Sequence, residues 1–262
     1  MEYENVILDI KDRVATVTLN QPDRRNALSL EMVNDIESAL GEIAESDEAR
    51  VVVITGSGKA FSSGGDMKSM AEGMANPSSE SREQILDYYR TALAVREVAV
   101  PTIASMNGHA IGAGLTLALA CDMRIAAQEA KMGPTFIQIG LNPGMGTTYL
   151  LTRIVGLAKA CELVFTAKVI EAGEAERIGL INKAVPRDML AGETGKLAAA
   201  IAAGPPQAMK MAKRSLYLGA SSDLETVLEY ESFGQGVCTL TEDLKEGITA
   251  FLQKRDPEFK GE

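Results

Sequence analysis

Ala104–Ala126 reads ASMNGHAIGAGLTLALACDMRIA, and Ala127–Thr148 continues AQEAKMGPTFIQIGLNPGMGTT. Thr102–Met106 is an apolar run that predicts a strand. It meets a turn of small residues, Asn107-Gly108-His109-Ala110-Ile111-Gly112-Ala113-Gly114, which opens into an apolar helix over Leu115–Cys121. Gly112 and Gly114 let backbone come close to whatever sits at the turn. The first turn of a helix leaves N–H groups without intrahelical acceptors. The combination predicts a site for an anion, or for an oxygen that gains negative charge.

A second unit of the same kind lies N-terminal to it. Val51–Thr55 is continuously apolar, as a strand buried on both faces is, and runs into Gly56-Ser57-Gly58-Lys59-Ala60-Phe61-Ser62-Ser63-Gly64-Gly65-Asp66. One N–H from each turn, aimed at one oxygen, would stabilise a carbonyl such as a thioester's as it becomes an enolate or a tetrahedral oxyanion. Losing one such donor typically costs roughly 3 kcal/mol of barrier lowering. The same glycines would also serve tight packing alone, and spacing does not separate the two.

Upstream, Tyr3–Ile10 and Val14–Leu19 alternate in polarity across Lys11-Asp12-Arg13, a hairpin pattern. Asn20–Asn26 is a polar loop. Ser29 is an N-cap type, followed by Met32, Ile36, Ala39, Leu40 and Ile43 at helical spacing. Ala75–Ser81 is polar and rich in breakers, predicting mobility. Ile85, Tyr88, Tyr89, Ala92 and Val95 mark a helix that Pro101 bounds. From Thr147 on, the spacing predicts helices over Thr147–Val155, Leu157–Phe165 and Glu171–Ile178, and a strand over Leu180–Val185. The remainder is helical: Lys196–Ala203, Pro206–Leu218, Asp223–Tyr230 and Asp243–Phe251. Strands alternating with helices and then helices alone predict an α/β body over 1–195 with a helical region over 196–262.

At 262 residues, 46% hydrophobic and 24% charged, the chain has an ordinary globular composition, and its formal charge of −10 argues against nucleic-acid or acidic-membrane partners. Cys121, Cys161 and Cys238 are widely spaced, which signals neither a disulfide framework nor a metal site. The acidic start, MEYENVILDI, does not read as a signal peptide. No apolar run approaches the roughly 18 residues of a membrane span. A cytoplasmic protein without metal is expected.

Several catalytic motifs fail on inspection. Gly56-Ser57-Gly58-Lys59 is no phosphate loop, because Val53 stands where its first glycine belongs and Ala60 where Ser or Thr must follow. Gly112-Ala113-Gly114 continues to Leu117, not to a third glycine, so no dinucleotide fingerprint is present. No G-x-S-x-G elbow occurs. His109, the only histidine, with Ser62 or Ser63, is the sole material for a hydrolase.

FSSGGDMKSM, NGHAIGAGLTLALACD, IGLNPGMGTTYLLTRIVG and ITAFLQKRDPEF, taken together, resemble the enoyl-CoA hydratase/isomerase (crotonase) family, and the likeness runs from Asn20-Gln21-Pro22 to Phe259. The resemblance implies a spiral of strand-strand-helix repeats with C-terminal helices that build a homotrimer or a hexamer. It implies an acyl-CoA substrate, with CoA as part of the substrate and no tightly bound cofactor. It puts the two oxyanion-hole N–H groups on Gly65 and Ala113. It also puts substrate-binding positions on Arg24, Arg25, Asp66, Met67, Lys68, Asn142 and Tyr149, and on Lys254 reaching a neighbouring subunit's CoA.

The departures from the pattern fall at its acids. The family's two hydratase glutamates correspond to Thr116 and Phe136, and the acid that several isomerases carry after the loop proline corresponds to Gly144. Threonine is no base at neutral pH and phenylalanine holds no water. The sequence therefore argues against ordinary hydration and for isomerase, lyase or decarboxylase chemistry. The base is then one of Glu72, Asp87, Tyr88, Tyr89 or Tyr149, or the substrate supplies its own carboxylate. The alternatives are an acyl-CoA-binding protein without turnover and, less favoured, a hydrolase.

Overall fold

The β1 (Val6–Lys11) and β2 (Val14–Leu19) strands form the expected antiparallel hairpin, with Val6 opposite Leu19 and Lys11 opposite Val14. Asp12 and Arg13 turn the chain with φ of 50° and 66°, the two positive values that match a two-residue turn to strand twist. α1 (Leu30–Glu45) starts at Ser29, whose side chain accepts the Met32 N–H, and buries Met32, Val33, Ile36, Ala39, Leu40 and Ile43. The computed structural model describes residues 3–46, 48–74 and 81–262. Residues 75–80 of the segment expected to be mobile, and the Glu72 side chain, lie outside the described residues.

The repeat that follows is strand, strand, helix. β3 (Val51–Gly56) and β4 (Ala60–Ser62) lead to α2 (Met67–Met74) and α3 (Ser81–Ala92). β5 (Thr102–Met106) and β6 (His109–Ile111) lead to α4 (Ala113–Ala120). β7 (Met123–Ala127) and β8 (Lys131–Gly133) lead to α5 (Thr147–Val155) and α6 (Leu157–Phe165). β9 (Ile170–Glu171), α7 (Ala172–Arg177) and β10 (Lys183–Val185) close the body. In each repeat the first strand joins a six-stranded sheet, ordered β1-β2-β3-β5-β7-β10, and the second joins a four-stranded sheet, ordered β4-β6-β8-β9. Successive repeats pair in parallel in both sheets. The chain thus spirals, and the β3–β4, β5–β6 and β7–β8 corners all fall at the same end of the sheet, opposite the β1–β2 turn.

The helical remainder is α8 (Arg187–Ala202), α9 (Pro206–Gly219), α10 (Leu224–Cys238) and α11 (Glu242–Gln253). Residue 195 falls inside α8, whose Ala198 and Ala202 share a buried cluster with Val51, Val53 and Ile103. That helix lies on the large sheet.

Local differences from the sequence reading have physical causes. The small-residue turn contains a strand, β6, because Ala110 and Ile111 pair with Met132 and Gly133, and short pairing segments carry no visible periodicity. The strand expected from Leu180 starts at Lys183, because Leu180 N–H donates back to Ala175 O (2.8 Å) and the chain is still leaving α7. α10 continues eight residues past Tyr230. It runs through Gly234, where a Cβ would lie 3.4 Å from Met211 Cβ in α9. There the glycine serves helix-to-helix approach instead of ending the helix.

Candidate active site

The β3–β4 and β5–β6 corners are in contact. A Cβ on Gly64, whose φ is +93°, would lie 2.5 Å from Ile111 O and 3.3 Å from Ala113 N. A Cβ on Gly114 would meet Ser62 O at 2.6 Å, and one on Gly108 would strike Lys59 O. These glycines are therefore packing devices, and what their packing achieves is to bring the Gly64-Gly65 loop against the first residue of α4. Gly112 turns the chain into that helix with φ +53°, donating its own N–H to Gly133 O at 2.9 Å. Ala113 opens the helix, so its N–H has no intrahelical acceptor.

Asn26 fixes the other side of the loop. Fully buried and at φ +53°, it donates through Nδ2 to Ser57 O, Ala60 O and Phe61 O at 3.0, 2.9 and 3.2 Å. Its Oδ1 accepts the Gln21 N–H at 2.9 Å. Ser62 Oγ donates to Asn26 O at 2.7 Å and accepts the Gly64 N–H at 3.2 Å. Leu28 N–H then donates to Gly64 O at 2.8 Å, forming a bridge beside Gly65. The Asn20–Asn26 loop thereby becomes a brace behind Gly65.

All three positions expected to carry acids are filled by something else. Thr116 is fully buried, and its Oγ1 sits 2.5 Å from Thr147 Oγ1 and 3.2 Å from Gly112 O. Thr147 Oγ1 in turn donates to Gly144 O at 2.6 Å. Two hydroxyl protons cannot serve three contacts. The contact of Thr147 Oγ1 with Gly144 O, at 2.6 Å, is much shorter than that of Thr116 Oγ1 with Gly112 O, at 3.2 Å, which favours the order Thr116 to Thr147 to Gly144 O. Phe136, in a short 3-10 turn over Thr135–Ile139, brings its ring edge to 4.0 Å from a Cβ on Gly112. At Gly144 the space for a side chain belongs to Tyr89. A Cβ there would collide with the phenol oxygen and lie 2.8 Å from Tyr89 Cζ.

Tyr88 and Tyr89, adjacent on α3, have different tasks. Tyr88 Oη donates to Leu28 O at 2.7 Å, and burial raises its pKa well above the ordinary phenol value. The Tyr89 hydroxyl has no hydrogen-bond partner among the described residues. Burial raises its pKa too, which keeps the phenol protonated and a donor at neutral pH. Asp87 is exposed on the outer face of α3, paired with Arg90 at 3.3 Å.

Asp66, directly after Gly65, is nearly buried. It accepts from Ser69 Oγ (2.6 Å), the Lys68 N–H (3.1 Å) and Arg24 Nη2 (2.6 Å). These bonds, that from Ser69 foremost, hold its pKa below the usual carboxylate value. The carboxylate beside Gly65 is thus ionised and holds three donors, Arg24 among them. Met67, Lys68 and Arg25 are exposed around the same loop, with Arg25 at φ +52°. Met70 Sδ lies 3.5 Å from a Cβ on Gly65 and gives that side an apolar wall.

Other expected residues fall elsewhere or are engaged. Tyr149 lies under the Arg153 guanidinium, 3.4 Å from its ring centroid. It lines a cavity of about 350 Å³ with Arg96, Leu119, Cys121 and Arg214, at the opposite end of α4 from Ala113. Asn142 is exposed and bonded to Pro143 O, and Gln138 donates to Ala167 O at 3.1 Å. Lys254 ends α11 with φ 55° on the exposed tail. His109 Nδ1 accepts the Lys131 N–H at 3.0 Å, and with Ser62 bonded as above no nucleophile and base are joined. Among the described residues no cluster of His, Cys, Asp and Glu could hold a metal, and no helix is long and apolar enough to cross a membrane.

Residues 9–262 match the family model for enoyl-CoA hydratase/isomerase. The chain belongs to the enoyl-CoA hydratase/isomerase family. It is 38% identical over 256 residues to a short-chain-enoyl-CoA hydratase of Clostridium acetobutylicum, covering 97% of each chain. It is 37% identical to a crotonyl-CoA hydratase of Syntrophomonas wolfei, covering 99% of each. The crystal structure of an enoyl-CoA hydratase from Bacillus anthracis superposes with a TM-score of 0.92 at 36% identity, over 99% of this chain and all of that one. The enoyl-CoA hydratase/isomerase family acts enzymatically on CoA thioesters, and this member has the family's spiral fold.

Thr147 and Met70 contribute to the site of this family member without having been singled out in the sequence. Thr147 carried no signal beyond its place after Gly146. Met70 had one, its helical offset from Asp66: the Met70 N–H donates to Asp66 O at 3.0 Å.

Proposed function

We propose that the protein binds an acyl-CoA thioester with its carbonyl oxygen between the N–H groups of Gly65 and Ala113, and turns it over through an enolate in an isomerase-, lyase- or decarboxylase-type reaction. The observation that carries this reading is the contact of the Gly64-Gly65 loop with the Ala113 N–H in a setting where Thr116, Phe136 and Gly144 offer no carboxylate. Two fixed donors stabilise the negative charge without reorganising. Decarboxylation of a malonyl-type thioester asks least of such a site: the C–C bond breaks, CO2 leaves, and the electron pair passes into the enolate without a protein base. No cofactor is required, since CoA enters as part of the substrate.

Met67, Lys68 and Arg25, exposed beside Gly65, are suited to the pantetheine and phosphates of CoA, and Arg24 with Asp66 to holding that loop in shape. Asn142 and Tyr149 would take part only through the loop and helix they belong to. Lys254, on the tail, is placed for the CoA of a neighbouring subunit in a homotrimer or a pair of trimers. The net charge of −10 and the wide spacing of the cysteines fit a cytoplasmic enzyme.

Incubation with enoyl, dienoyl, malonyl and aromatic CoA thioesters in heavy water, followed by mass spectrometry, tests this. Expected is a product that carries deuterium at the α-carbon and that has lost CO2 or moved a double bond. Efficient addition of water to an enoyl thioester would contradict the reading. Binding of the thioesters without exchange or product would favour the acyl-CoA-binding alternative, to which the internal bonding of Thr116 and Asp66 also lends support.

A further inference from the structure

Tyr89 is the group that the acid positions leave over. Its phenol occupies the volume into which a side chain on Gly144 would project, and Gly144 stands where an acid is expected by resemblance. Gly144 is tied through its carbonyl and Thr147 to Thr116, one helical turn from Ala113. The phenol oxygen therefore lies against the loop that Thr147 ties to α4. Its neighbour on α3, Tyr88, stands edge-on with ring centroids 6.1 Å apart and is committed to Leu28 O. The Tyr89 hydroxyl has no such commitment among the described residues, while the two hydroxyls tied to the Gly144 loop are spent: Thr116 on Thr147, and Thr147 on Gly144 O. A half-buried phenol with its hydroxyl uncommitted to the protein is free to bond a ligand that enters beside Gly144.

We propose that Tyr89 is the proton donor of this site, its hydroxyl taking the place of the missing carboxylates and protonating the α-carbon of the thioester enolate. This rests on the enolate reading above. In the step the phenolic O–H breaks and a C–H bond forms at the α-carbon. The enolate electron pair supplies that bond, the thioester carbonyl is restored, and the phenolate recovers a proton from water. A phenol suits this direction, since at neutral pH it holds a proton to give and cannot serve as the base that begins hydration. The substrate class implied is one whose enolate arises without a protein base, as by loss of CO2 from a 2-carboxyacyl thioester.

The test compares wild type with Tyr89→Phe on a 2-alkylmalonyl-CoA in heavy water. The wild type should give one α-deuterated stereoisomer. Tyr89→Phe, which keeps the ring packing and should keep the melting temperature, should lower kcat by roughly 10²-fold with little change in KM, and its product should lose stereochemical purity because solvent protonates the enolate. Equal kcat and equal stereochemical purity would overturn the assignment of Tyr89 while leaving the enolate reading intact. A wild type that releases no CO2 and exchanges no proton from any thioester would remove the enolate reading and the donor role with it. Replacing Tyr89 by 3,5-difluorotyrosine gives a readout that packing cannot mimic. The more acidic phenol should lose its proton earlier and move the alkaline limb of the kcat profile to lower pH. An unshifted limb would overturn the proposal.

Discussion

At the scale of single residues the site is decided by what occupies three positions. Thr116 is fully buried and bonded to Thr147, which supports a packed helix residue over a catalytic donor. Phe136 presses its ring toward Gly112. Gly144 is the case with the sharpest consequence. Installing an acid there would restore an isomerase-like carboxylate only if space existed, and Tyr89 fills that space. Gly144→Asp is expected to destabilise the protein by about 1–3 kcal/mol through overpacking, seen as a lower denaturation midpoint, and to produce no double-bond migration. Combined with Tyr89→Ala, the same substitution should regain most of the lost stability. A stable single Gly144→Asp variant would mean that the phenol yields readily and does not define this wall.

At the scale of elements, the two corners were legible from sequence because continuous apolar runs, Val51–Thr55 and Thr102–Met106, end abruptly in glycines. Their contact was not. Which corner touches which depends on the parallel pairing of β4 with β6, and strands of three residues are too short to show a pattern. The phenol of Tyr89 was one of several candidates for the same reason: helical spacing shows that Tyr88 and Tyr89 stand on α3, and only packing shows which of them meets Leu28 O and which meets Gly144. The C-terminal tail depends on an element-scale clamp. Glu246 on α11 accepts two bonds from Arg255, at 2.6 and 2.7 Å, and the Glu258 N–H at 2.8 Å, which lower its pKa from 4.5 to about 2. A depressed folded value means the clamp's contribution is complete above the unfolded value of 4.5 and is lost as pH falls toward about 2. Protection of the amides across 254–262, taken relative to their intrinsic exchange rate at each pH, should therefore fall on acidification through that window, and Glu246→Gln should show the lowered protection at neutral pH. Equal protection in the two proteins would show that the tail is held by Asp243 and its bonds to Lys260 and Gly261 instead.

At the scale of the whole molecule the helical region leaves large apolar side chains in water. Leu216, Leu240 and Phe251 are 76%, 86% and 82% exposed, and Leu224, Phe233 and Leu252 accompany them. An isolated Leu on a surface is ordinary, whereas such a set over α9, α10, α11 and the α10–α11 connection supports the expectation of an interaction face. Sedimentation equilibrium should find three copies, or six, and Leu240→Asp with Phe251→Asp should shift the population toward the monomer. A wild-type monomer at micromolar concentration would remove the trimer and, with it, the role of Lys254 in a neighbour's site.

The central claim is that a thioester oxygen is held by the N–H groups of Gly65 and Ala113. Ala113 opens α4, a position where proline is tolerated and where it deletes the N–H. Turnover of the accepted acyl-CoA by Ala113→Pro, measured beside its circular dichroism, is the most direct test. The account predicts an unchanged helical spectrum with kcat lowered by roughly 10²–10³-fold, and an Ala113→Pro enzyme that folds and turns over like the wild type would contradict it.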